Sequence, residues 1–185
     1  AAAASVGSSQ TGFLMTSTGL EFAQAIEKGL MGACFSYQIT ANYLDKVVES
    51  TYILSNNATG RDPLKHYTDM EHYWDEAYGY FTSADNYPNN FSSMPKRYWG
   101  KYADKGYLIS NIGSDEIASI FRLGRAAIRQ HSNTTDAAVK AELETYIVAA
   151  RDFIVNKFRI MQSAMAIHYL NDVKGMLAAN DLAAE

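Results

Sequence analysis

The sequence predicts an all-α protein, an antiparallel helical bundle with two long helices and three shorter ones. Three observations lead there. Apolar residues recur every three or four positions over long stretches, as on one face of a helix. Only three prolines occur in 185 residues, and proline is what interrupts helices. No stretch shows the period-two alternation of a half-buried strand. With 48% apolar and 19% charged residues, the chain is long and apolar enough for one globular core. Residues 1–18 read as a flexible arm or connector, and 19–185 as a single helical-bundle domain.

The first long helix is expected from about Leu20 to about Ile53, capped by Thr18. Phe22, Ile26, Leu30, Ala33, Tyr37, Leu44 and Val48 form one stripe, with Met31, Phe35 and Ile39 on the other side. A helix apolar nearly all round belongs at the centre of a bundle. Gly29, Gly32 and Ala33 suggest close approach of a neighbouring helix there. Cys34, the single cysteine, reads as a small core residue and can form no intrachain disulfide.

The second helix is expected to start with Asp62 as cap, Pro63 at its first position and His66 one turn in, and to end near Phe81. An Asn-rich loop follows, and its Asp85–Asn90 stretch lacks the spacing of a calcium loop. Pro95 opens a short aromatic helix from Lys96 to about Leu108. Ser114 caps the next, to about His131. The last helix runs from about Thr135 to Ala179, with a seam of Leu143, Ile147, Ala150, Ile154, Phe158, Met161, Met165 and His168. At 1.5 Å per residue it would span roughly 65 Å, and the first roughly 50 Å.

Candidate chemistry concentrates between His66 and Phe81, which holds two histidines, four carboxylates and six aromatic rings. On a helix, Asp69, His72 and Glu76 fall within about 60° of one another. Carboxylate and imidazole groups on one face are metal ligands or proton carriers, so the trio is the candidate metal site, with His168 as a fourth ligand. Met70, Tyr73, Trp74, Ala77 and Phe81 form a second face expected in the core, and Asp75 is expected in solvent. Glu-x-x-His pairs build di-iron sites in ferritin-like bundles. Asp69-x-x-His72 is a partial match, and residue 165, three before His168, is Met. His72 with Glu76 could also act as acid and base in a hydrolase, although no nucleophile can be nominated.

Other features read more plainly. Arg122, Arg125 and Arg129 could hold an anion, but ion pairs to Glu116 or to other helices fit better. Tyr98, Trp99 and Tyr102 could stack on a sugar or aromatic ligand, with core packing the plainer reading. Asn57, Asn90 and Asn133 lie in glycosylation sequons within expected loops. A net charge of -4 offers no basic footprint for nucleic acid. No apolar run is long enough for a transmembrane helix. No phosphate loop, Cys-x-x-Cys pair or Ser/His/Asp order appears.

Several runs together carry a family resemblance. They are Gly19-Leu20-Glu21-Phe22, Ile26 to Ala33, His72 to Phe81, Arg97 to Tyr102, Gly124 to Ile128 and Ala166 to Asn171. They resemble an uncharacterised bacterial envelope family of Bacteroidetes and marine proteobacteria. Its members are often lipoproteins, encoded beside imelysin-like, iron-regulated proteins. The resemblance covers nearly the whole chain from residue 19. It implies a longer precursor, a periplasmic or cell-surface location and a link to iron or another divalent metal. The Gly-x-His-x-x-Glu motif of imelysin-like proteins does not occur here, so no ligand set carries over. The expected function is a secreted or envelope-anchored helical binding protein, linked to metal acquisition. The alternative is a structural or assembly subunit that self-associates or meets an envelope partner through its many Tyr and Trp.

Overall fold

The computed structural model describes residues 2–4, 13–58, 63–82, 96–110 and 113–179. Its architecture is an all-α bundle, as the apolar periodicity predicts. One short feature departs from that. Strands β1 (Ala2–Ala4) and β2 (Phe13–Met15) pair antiparallel, Ala2 opposite Met15 and Ala4 opposite Phe13. An alanine run carries no alternation from which to predict a strand.

The first long helix is broken, not continuous. Gly19 takes φ 86° in the turn before it, and Glu21 precedes it without a side-chain cap. Thr18 caps nothing, and its hydroxyl meets the Thr16 hydroxyl at 2.9 Å. Helix α1 is Phe22–Gly29. Two π-helical segments follow, Leu30–Phe35 and Gln38–Tyr43. Helix α2 is Leu44–Val47, the chain turns at Val48 and Glu49, and α3 is Ser50–Ser55. In a π turn the hydrogen bond closes over five residues instead of four, so a 3.6-residue stripe slips out of phase. The buried seam is Met31, Ile39, Leu44 and Val47, with Phe35 packed beside it. Its five-residue step, from Ile39 to Leu44, crosses the second π segment.

Three expectations for this first stretch are corrected. Of the stripe expected in the core, Phe22, Ile26, Leu30 and Tyr37 are exposed, and α1 buries no residue. Cys34 is exposed rather than packed. Gly29 and Gly32 face open space, since a Cβ on either would meet nothing within 4 Å. The close approach occurs elsewhere, where a Cβ at Gly124 would lie 2.1 Å from the Trp74 indole.

Helix α4 is Asp69–Phe81, six residues later than a cap at Asp62 would start it. Thr68 is the cap. Its hydroxyl accepts the Glu71 amide at 3.3 Å, and Glu71 accepts the Thr68 amide at 2.7 Å. This reciprocal capping box fixes the start. Pro63 and His66 lie in the turn ahead, and Asp62 lies outside the described residues. So do Pro95 and the Asp85–Asn90 stretch.

Helix α5 (Tyr98–Ser110) begins at a residue with φ 48°, a left-handed conformation costly for a tyrosine. Helix α6 is Ser114–Asn133. Ser114 is its first residue rather than its cap, and its hydroxyl bonds Asp104 of α5. Helix α7 is Ala137–Ala179, 43 residues long. Asp136 caps it, its carboxylate accepting the amides of Ala138 and Val139 at 2.8 and 3.2 Å.

The α6–α7 pair makes the most extensive helix contact, and α4 and α5 close the bundle against it. At the centre Trp74, Phe81, Phe121 and Phe158 are fully buried. Phe81 packs 5.7 Å from Phe121 and 5.8 Å from Phe158, and the Trp74 indole N–H donates to the Phe121 carbonyl at 2.7 Å. The α4 face expected in the core is there, with Tyr73 only partly covered. Among the described residues no helix is long and apolar enough to cross a membrane.

Candidate functional site

Asp69, His72 and Glu76 share one face of α4, as their spacing requires. That face is half exposed and its groups are engaged singly. Lys65 reaches Asp69 at 3.5 Å, and His72 Nε2 lies 3.9 Å from Glu76. The His72 ring stacks on Tyr67 at 5.3 Å and leans on Tyr73 at 5.7 Å. His168 pairs with Asp172 of its own helix at 3.2 Å. Among the described residues no three His, Cys, Asp or Glu side chains are grouped closely enough to hold a metal ion.

Asp75 is not simply solvated. Arg125 Nε holds both its oxygens, at 2.9 and 3.0 Å. Arg125 and Arg129 also reach Glu71 Oε1 at 2.8 and 3.2 Å. Arg125 and Arg129 of α6 therefore pair with another helix, α4, while Glu116 pairs with Lys157 of α7. Glu71 is fully buried. Burial alone would raise its pKa, but the Thr68 amide and the two guanidinium groups outweigh it and hold the carboxyl below its ordinary value.

A second buried polar group is His131, 1% exposed. Its Nε2 meets Glu144 at 3.0 Å and its Nδ1 meets Asn56 Nδ2 at 3.0 Å. The same amide nitrogen donates to the Ile128 carbonyl at 3.1 Å. An amide NH₂ can only donate, so Nδ1 must accept and the proton sits on Nε2, toward Glu144. These contacts tie α3, α6 and α7 together.

A concave site lies elsewhere among the described residues. A cleft of about 420 Å³ opens between α1, α5 and α7. Gln24 and Lys28 come from α1, Met31 from the first π segment, Trp99 and Tyr102 from α5, and Gln162, Met165 and Tyr169 from α7. An adjoining compartment of about 290 Å³ shares Lys28, Met31 and Tyr102 and adds Glu27, Phe35, Tyr98 and Lys101 among others. Both the volume and the largely apolar lining suit a small organic ligand.

Local structure explains the cleft. The Trp99 indole N–H donates to the Met31 carbonyl at 3.1 Å, inside the π segment. Gln162 donates to the Ser36 hydroxyl at 2.5 Å, at the far end of that segment. Helices α5 and α7 thus both hold the distorted turn. Tyr98, strained at the start of α5, sets its ring edge-on to Phe35 at 5.0 Å. At the rim, Lys28 bonds Glu27 at 2.7 Å and stands 5.2 Å over the Tyr102 ring. Burial disfavours the Lys28 ammonium, but Glu27 and the Tyr102 hydroxyl hold its pKa above the ordinary lysine value. The Lys28 ammonium in turn holds the Glu27 carboxyl below its ordinary value.

Reading the sequence alone placed Tyr98, Trp99 and Tyr102 mainly in packing. The structure gives Trp99 and Tyr102 both roles, since they touch the core or each other and also line the cleft. Met31, Met165 and Gln162 carried no chemical signature in sequence.

Residues 2–184 match the family model described as "Domain of unknown function (DUF4856)". The chain belongs to that family. The match spans both the broken first helix and the α5–α7 walls of the cleft. No curated protein and no solved structure matches.

Proposed function

We propose that this member of the family is a helical binding protein of the cell envelope, with the α1–α5–α7 cleft as its ligand site. The observation that carries the reading is the cleft itself, a concave, aromatic- and methionine-lined cavity of about 420 Å³. It is built on a π-distorted turn and a strained helix start, and both kinds of distortion concentrate at functional sites. The envelope location rests on the family resemblance. A role in acquiring iron or another metal has no ligand set among the described residues to support it. Neither His72 nor Glu76 lines the cleft or its adjoining compartment, so the cleft lends no support to acid–base chemistry by that pair.

Titration with the neutral apolar dye N-phenyl-1-naphthylamine tests the reading. Dye emission should rise on binding and Trp99 emission should fall with it. Tyr169→Glu, which puts a charge at the cleft wall on an already exposed position, should weaken the dye about tenfold while far-UV circular dichroism stays unchanged. No binding to the wild type, or equal binding to both proteins, overturns the proposal.

A further inference from the structure

We infer that the cleft takes a small amphiphilic carboxylic acid, its apolar body in the larger cavity and its carboxylate between Lys28 and Lys101. This rests on the cleft being a ligand site and names what that site selects.

The larger cavity selects for an apolar body. Met31, Trp99 and Met165 are nearly buried, and Tyr169 and Tyr102 add ring faces. Its polar groups are few, and one of them, the Gln162 amide, is already bonded to Ser36. A sugar would bring several hydroxyls that this lining cannot satisfy, each at a desolvation cost. An alkyl chain or an aromatic ring brings none.

The adjoining compartment selects for an anion of single charge. Its charged lining is Lys28, Lys101 and Glu27, two positive groups against one negative. A cation would meet net repulsion, and a dianion would exceed the one uncompensated charge. Lys28 is the natural head-group contact because it lines both compartments. An ammonium has three donors. Glu27 takes one at 2.7 Å and the ammonium stands 5.2 Å over the Tyr102 ring, which leaves donor capacity for a ligand oxygen. Lys101 is exposed, and no ion-pair partner stands within 4 Å of its ammonium among the described residues. Its charge already acts on Glu27.

Displacement of N-phenyl-1-naphthylamine by decanoate and by decanol at neutral pH tests the inference. The two competitors share a chain and differ in head-group charge. Decanoate should displace the dye at about fivefold to tenfold lower concentration than decanol. In Lys28→Gln that advantage should vanish while decanol competes as before, which also shows that the variant folds and keeps its cavity. Lys101→Gln should reduce the advantage partly. Equal potency of acid and alcohol on the wild type overturns the inference and leaves the cleft intact as an apolar site. So does a Lys28→Gln variant that weakens both competitors alike. Failure of the dye to bind the wild type overturns the cleft and the inference together.

Discussion

At the residue scale, Glu71 is the side chain whose chemistry and stability are most tightly joined. It is fully buried, accepts the Thr68 amide and receives both Arg125 and Arg129. Removing one partner of a buried pair leaves the others uncompensated, at a cost of about 3–5 kcal/mol. Glu71→Ala should cost about 3 kcal/mol, the low end, because both arginines reach solvent and can rehydrate. The pH dependence has a definite sign. The folded-state pKa is depressed. The contribution is therefore complete above the unfolded glutamate value of about 4.3 and is lost as pH falls through the folded one. Urea unfolding of wild type and Glu71→Gln should show a stability gap at pH 7 that narrows below about pH 4. A gap that widens with acid would rule out this role.

At the element scale, the α5–π contact is the joint that shapes the cleft. Trp99→Phe keeps a ring in place but removes the donor to the Met31 carbonyl. It should cost about 1 kcal/mol and speed amide exchange around residues 31–36, read by mass spectrometry. Unchanged exchange there would mean that the π turn holds itself. The same region shows why the sequence could be read only in part. Helix type was legible from α4 to α7, because those helices keep a 3.6-residue period and their aromatic faces pack as that period predicts. The start of α4 was misplaced, because Asp62-Pro63 mimics a helix start while the actual cap is the reciprocal Thr68–Glu71 box. The first helix was not legible. Two π segments and a five-residue step in the buried seam, from Ile39 to Leu44, break its 3.6-residue phase, and no residue type announces such breaks. The cleft has no counterpart in the sequence reading for a related reason. Imidazole and carboxylate groups on one helix draw attention by spacing, whereas a cleft assembled from three distant segments leaves no local pattern.

At the scale of the whole molecule, apolar surface is distributed unevenly. Phe22 and Ile26 are exposed on α1 and Leu30 at the start of the first π segment, and Ile160, Ile167, Leu170, Val173 and Leu177 on the second half of α7. A helix end apolar on its buried and its outer sides is usually covered in the working assembly. This is the observation that favours the assembly-subunit reading, which is compatible with a ligand site in the same molecule. Sedimentation velocity should show the wild type shifting to a larger species as concentration rises, and Leu170→Glu should abolish the shift. A wild type that stays monomeric at high concentration removes that reading.

The exposed thiol has a practical consequence at this same scale. Cys34 is the chain's single cysteine, and it sits in the π segment between Met31 and Phe35, both of which line the cleft compartments. A maleimide dye added to the unmodified protein would therefore attach at one position, on the outer side of the turn whose inner side faces the cleft. The native sequence already carries its own attachment point for an optical reporter of whatever enters there.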